Sequence, residues 1–151
     1  MSRLNASRVI LAAAAALAFA APAWSAEFFI DLGNEKGGRS ITALVGFSGD
    51  TAITDSQVDV NYDPAQISVA VKALGSAGCS NPRPGLIRVV SPDLGGKVLG
   101  EKVGAYCQIV ATSLNGKTLG PSAGLLSLQN PFCIGEGGAA KSCSAENTSA
   151  K

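Results

Sequence analysis

From residue 27 onward, apolar and polar residues alternate in short runs, and almost nowhere does an apolar stripe recur every three or four positions over three turns. Runs rich in β-branched and aromatic residues predict strands at 27–32, 40–47, 57–62, 67–73, 86–90, 103–113 and 124–128. The separators carry turn chemistry: Gly37-Gly38, Ser48-Gly49-Asp50, Asp63-Pro64, Pro82-Arg83-Pro84-Gly85, Gly95-Gly96 and Asn115-Gly116. Of these, Asn115-Gly116 predicts a tight hairpin between neighbouring strands, because both residues tolerate positive φ. In 57–63 the alternation is clean: Val58, Val60 and Tyr62 point one way, and Gln57, Asp59, Asn61 and Asp63 the other. In the later run, adjacent Ile109 and Val110 suit a strand nearer the middle of a sheet. The pattern predicts an all-β fold, a single antiparallel β-sandwich of jelly-roll type with about eight strands. No internal repeat argues for a solenoid or propeller.

Residues 1–25 read differently. Arg3 and Arg8 precede an apolar run from Val9 to Ala21, followed by Pro22 and small residues, which is the build of a secretory signal. The run is too short to span a hydrocarbon core of ~30 Å as a helix, so the segment is expected to be cleaved and to leave no membrane span. Small residues at −3 and −1 are offered by Ala23 and Ser25 or by Ala21 and Ala23, whereas a cut after Ala26 would put Trp24 at −3. Cleavage after Ser25 is favoured. The expected organisation is a signal peptide at 1–25, one domain at 26–143 and a small, polar, disordered tail at 144–151. The expected destination is the periplasm or the outside of the cell.

Removing the signal changes the charge. Arg3 and Arg8 leave, so 12 basic residues become 10 against 11 acidic ones, a net charge of −1. A nearly neutral domain has no basic patch for phosphates, which argues against nucleic acid and anionic membrane surfaces as partners. Cys79, Cys107, Cys133 and Cys143 all lie in the exported part, where disulfides persist. Four cysteines admit three pairings that sequence alone does not resolve. The short loop with Gly135, Gly137 and Gly138 favours Cys133 with Cys143, and hence Cys79 with Cys107. A zinc site is not expected, since the chain has no histidine and no Cys-x-x-Cys pair.

The segment Val58-Asp59-Val60-Asn61-Tyr62-Asp63-Pro64-Ala65-Gln66-Ile67-Ser68-Val69 resembles the cohesin strand that ends in Tyr-Asp-Pro and leads into the next strand. Upstream, Ile41-Thr42-Ala43-Leu44-Val45-Gly46-Phe47 looks like an early strand of that sandwich, and Gly104–Thr112 resembles a late one. The resemblance is to cohesin-like, carbohydrate-binding-type modules of bacterial exported proteins and covers roughly two thirds of the domain. It implies a non-catalytic module. In cohesins the outward face of this strand helps to bind a dockerin helix, which here marks Asp55, Gln57 and Asp59 as the expected partner-binding residues. The four cysteines, the single short module and the absence of an attached dockerin or catalytic domain depart from the cellulosomal pattern.

Other chemistries fit less well. Without histidine, no Ser-His-Asp or Cys-His arrangement exists in the chain. Asp59 and Asp63 on one face of a strand would stand roughly 13 Å apart, beyond the ~5 to 10 Å that paired-carboxylate hydrolysis uses. Asp59-Val60-Asn61-Tyr62-Asp63 opens like a calcium loop, but Pro64 stands where Gly is needed and Ala70 where the bidentate Glu is needed. Neither metal nor cofactor is therefore expected. For a polysaccharide-binding module, the alternative function, the exported part supplies few stacking aromatics: Phe47, Tyr62 and Tyr106 read as core. Phe132 reads as a loop residue anchoring the second disulfide to the core. Asn147-Thr148-Ser149 matches a glycosylation acceptor by chance, because the signal is of bacterial type. The sequence thus predicts an exported binding module for a protein or a polysaccharide.

Overall fold

A computed structural model describes residues 26–32, 38–48, 53–75, 77–91, 104–119 and 124–147. The signal segment with Trp24, the Ser48-Gly49-Asp50 and Gly95-Gly96 turns beyond Ser48, and all but Asn147 of the glycosylation motif lie outside the described residues. The strands are β1 (Ala26–Asp31), β2 (Ser40–Ser48), β3 (Ile53–Asn61), β4 (Ile67–Ala73), β5 (Gly78–Arg83), β6 (Leu86–Val90), β7 (Gly104–Ser113), β8 (Ser127–Gly135), β9 (Ala140–Lys141) and β10 (Cys143–Glu146). They form two five-stranded sheets, ordered β10-β1-β2-β7-β4 and β5-β6-β3-β8-β9. Every pairing is antiparallel except β10 on β1, which is parallel.

Alternation explains how the two sheets find each other. Phe28 and Ile30 of β1, Ile41, Val45 and Phe47 of β2, and Cys107, Ile109 and Ala111 of β7 are buried from one side. Val58 and Val60 of β3, Ile87 and Val89 of β6, and Leu128 and Cys133 of β8 meet them from the other. Each fully buried aliphatic or aromatic side chain of this kind contributes about 1.5–3 kcal/mol of transfer free energy. Phe28 meets Phe47 edge-on with centroids 4.9 Å apart, and Phe47 stacks on Tyr106 at 6.2 Å. Tyr106 sits at a bulge, where Val45 pairs with Cys107 but Gly46 with Ala105.

The Tyr-Asp-Pro turn is built as its residues dictate. The Asp63 carboxylate accepts from the Ala65 amide at 2.9 Å, and the Asp63 carbonyl accepts from the amides of Gln66 and Ile67. Pro64, without an N–H, ends the ladder there.

Both disulfides follow the favoured pairing, with Cα–Cα distances of 5.7 Å for Cys79–Cys107 and 6.1 Å for Cys133–Cys143. Each joins the two sheets: β5 to β7 on one side of the sandwich, β8 to β10 on the other. The loop between Cys133 and Cys143 turns through Gly137 (φ 74°) and Gly138 (φ 78°), conformations that favour glycine. The two bridges fit an oxidising compartment.

The structure corrects several expectations. The strand expected at 124–128 runs instead from Ser127 to Gly135, because a bulge carries it across Asn130-Pro131, residues that read as a breaker. β3 begins at Ile53, four residues early, where Thr54 and Ser56 take inward positions that apolar counting passes over. β5 is not among the expected strands, since it is polar and runs into Pro82-Arg83, the start of the expected turn at 82–85. Ser144–Glu146, assigned to a disordered tail, belong to β10, which Cys143 delivers to the free edge of β1. Asn115-Gly116 forms no hairpin. β7 and the following β8 lie in different sheets, and the Asn115 side chain instead accepts from the Lys117 amide at 3.0 Å, with only Gly116 at positive φ.

Candidate functional site

The residues marked at the sequence level stand on the outer face of the β5-β6-β3-β8-β9 sheet. Parity places them there: inward Val58 and Val60 alternate with Gln57, Asp59 and Asn61 on β3, and Asp55 continues the outer set. Register then gives each a row of neighbours. Gln57 lies between Val90 of β6 and Phe132 of β8, and Asp59 lies between Arg88 of β6 and Gln129 of β8. Asn61 lies between Leu86 and Ser127, and Asp55 faces Ile134.

The three marked residues differ in what they offer. Asp59 is buried, and its two carboxylate oxygens accept from Arg88 Nε at 2.9 Å and Nη2 at 3.3 Å. That two-point pair spends the carboxylate on the sheet itself and holds the Arg88 guanidinium more firmly charged than usual. Arg88, 42% exposed, is thus the charge that this row presents to solvent. Asp55 accepts from the Thr54 hydroxyl at 3.2 Å and stays partly accessible. Gln57 is half-buried between Val90, 38% exposed, and Phe132, 52% exposed. Nearby, Asn61 donates to Gln129 Oε1 at 2.7 Å, which fixes the polar edge of the face.

The face therefore has an apolar row, Val90 and Phe132, beside a charged row led by Arg88. Sequence reasoning found neither. Leu86, Arg88 and Val90 alternate with buried Ile87 and Val89, so their outward direction was legible in the predicted strand. Phe132 is not, because Asn130-Pro131 interrupt the alternation after Leu128. The expected anchoring of the disulfide loop by Phe132 does not hold: the ring points to solvent, while Cys133 beside it is buried.

A second feature is an open cleft of about 380 Å³ at one end of the sandwich, lined by Tyr62, Pro64, Pro82, Arg83, Pro84 and Leu114 among others. Among the described residues, no carboxylate lines it. Asn81 also lines it: with its amide nitrogen donating to the carbonyls of Arg83 (2.6 Å) and Leu86 (2.8 Å), its oxygen accepts from the Tyr62 hydroxyl (3.1 Å). Among the described residues, no three His, Cys, Asp or Glu side chains are grouped to hold a metal ion. No helix among them is long and apolar enough to cross a membrane.

No family model matches the chain, and no curated protein matches it in sequence. Solved structures match it in fold. The sixth cohesin of scaffoldin B from Acetivibrio cellulolyticus, determined in complex with a Cel5 dockerin mutant, superposes with a TM-score of 0.62 at 15% identity, over 81% of this chain and 94% of that one. The seventh ScaB type I cohesin of Pseudobacteroides cellulosolvens gives 0.61 at 16% identity, over 82% and 87%. The cohesin module of a family 33 glycoside hydrolase from Clostridium perfringens gives 0.58 at 14%, over 80% and 91%. The likeness covers both sheets, and the chain has the cohesin fold.

Proposed function

We propose that this chain is an exported, non-catalytic recognition module that binds a protein through the outer face of β5, β6, β3 and β8. The carrying observation is the row Val90–Gln57–Phe132: two exposed apolar side chains flank a half-buried amide on the central strand of the sheet, next to the Arg88–Asp59 pair. An exposed aromatic with a polar rim is the build of an interface anchor. Several of the cohesins that share the fold were determined with dockerins, which makes a helical partner the leading candidate. Asp55 and Gln57 would contact the partner directly, while Asp59 would act by fixing Arg88.

The polysaccharide reading lacks support. It calls for a row of stacking aromatics, and among the described residues this face exposes Phe132 alone.

Immobilised wild-type protein, oxidised, should capture a protein from envelope and secreted fractions or bind one of a panel of purified dockerin modules. A Gln57→Ala/Phe132→Ala variant with unchanged melting should lose that binding. Equal capture by both proteins would move the site off this face, and release by soluble sugars would favour the polysaccharide reading.

A further inference from the structure

The sandwich has four edge strands among its described residues, and three are blunted. β9 has two residues and β10 four. β5 contains Pro82 and a register shift between Ser80 and Arg83, and the Asn81 amide ties up carbonyls there. Short length, proline, bulges and charges, lysine above all, are the devices that keep an edge from pairing with another chain. Of these β4 has only one lysine. It runs seven residues, Ile67–Ala73, in unbroken register with β7, carries no proline, and has Lys72 as its single charge.

The ladder fixes which of its backbone groups are free. Leu114 donates to the Gln66 carbonyl at 2.9 Å, and Leu74 donates to the Tyr106 carbonyl at 3.0 Å. In an antiparallel pair the hydrogen-bonded positions alternate, so Ser68, Ala70 and Lys72 turn their backbone groups toward β7. Val69, Val71 and Ala73 turn theirs off the edge, and Ile67 does so with its carbonyl, its amide donating to the Asp63 carbonyl.

We propose that β4 pairs edge to edge with β4 of a second copy, about a two-fold axis through Ala70. In that antiparallel register Ile67 faces Ala73 of the second copy and Val69 faces its Val71. The Ile67 amide already donates to the Asp63 carbonyl, so this register offers about six hydrogen bonds, two in each of the two Val69–Val71 pairs and one from each Ala73 amide to the facing Ile67 carbonyl, and a shift of two residues either way gives no more. Charge is compatible as well, since Lys72 meets Ser68 across the junction and not the other Lys72. Ala70 meets Ala70, and its exposed methyl leaves the backbones free to approach. The other edges are short or blunted, so the pairing closes at two copies. This edge belongs to the sheet opposite the proposed partner face, so the two proposals stand or fall separately.

Sedimentation velocity of the oxidised wild-type protein across the micromolar to millimolar range should show a monomer–dimer equilibrium. Ala70→Lys places two ammonium groups at the axis and should raise the dissociation constant at least tenfold, as should Ala70→Glu with two carboxylates. Melting checks that both variants fold, and an equimolar mixture of the two should restore a dimer, with Lys opposite Glu. A wild type that stays monomeric throughout overturns the proposal, as does one that binds only an extended strand of another protein. A dimer indifferent to Ala70→Lys overturns it too, as does a folded mixture that stays monomeric.

Discussion

Asn130 and Pro131 decide where Phe132 points. Gln57 pairs with Phe132 and Asp59 with Gln129, so Asn130 and Pro131 of β8 stand against the single Val58 of β3, one residue extra, with Asn130 at φ 53°. The bulge turns Phe132 onto the outer face beside Gln57. Replacing Phe132 by alanine is predicted to weaken partner binding by about tenfold or more, as for an anchor residue, and to change stability by less than about 0.5 kcal/mol, as for an exposed side chain. Titration calorimetry and urea unfolding check the two halves, and unchanged affinity would remove Phe132 from the interface. Gly46 acts in the opposite sense, since it matters to the fold and not to binding. The Phe29 ring lies against its Cα, and the Gly104 carbonyl oxygen would stand 2.7 Å from an added Cβ. Gly46→Ala is therefore predicted to destabilise by about 1–3 kcal/mol through overpacking, measured by urea unfolding. Single residues such as these were the least legible in the sequence. The alternation put Asp59 on the correct face, but its bond to Arg88, 29 positions away, depends on the β3–β6 register, which one strand's pattern does not contain.

Elements were more legible where burial alone defines them. β1, β2, β4 and β6 have apolar faces that alternate against polar ones, and their predicted bounds agree with the structure to within a residue. β5, β9 and β10 are half-exposed or exposed edge strands held by pairing and disulfides, so hydrophobic periodicity is silent about them. β10 also carries a chemical dependence. It lies parallel to β1 with Phe29 opposite Glu146, which brings Glu146 onto the same face as Glu27. A hydrogen bond to the Glu146 side chain raises the Glu27 pKa above its usual 4.5, with desolvation and the charge of Glu146 acting in the same direction. A carboxyl group whose folded pKa is raised favours the fold below its unfolded pKa, and that contribution disappears as pH rises through the folded value. The β1–β10 junction is thus predicted to loosen from acid toward neutral pH. Glu146→Gln should flatten this dependence, raising the melting temperature at pH 7 relative to wild type and leaving it nearly unchanged at pH 4. Equal melting of the two proteins at both pH values would separate β10 from any carboxyl pair.

The whole molecule is a sandwich with two open sides, and each side carries one bridge between the sheets. Cys79–Cys107 ties β5 to β7 near the exposed β4 edge, and Cys133–Cys143 ties β8 to β10 beside β1. A domain of about 125 residues has a core large enough to fold, so the bridges act mainly on the unfolded chain, which each shortens by closing a loop. Their separations of 28 and 10 residues set an order. In the chain-entropy account the longer loop contributes about 3.6 kcal/mol and the shorter about 2.7 kcal/mol. Replacing Cys79 and Cys107 together by serine is therefore predicted to lower stability more than the same change at Cys133 and Cys143, by roughly 1 kcal/mol. Urea unfolding of the two variants measures this directly. The reverse order would mean that the shorter bridge also acts in the folded state, by holding β10 on β1. Since β10 is exposed or half-buried along its length and pairs only with β1, hydrogen exchange at 143–146 would rise in the Cys133/Cys143 variant if that is so, and a core effect would spread the change over both sheets.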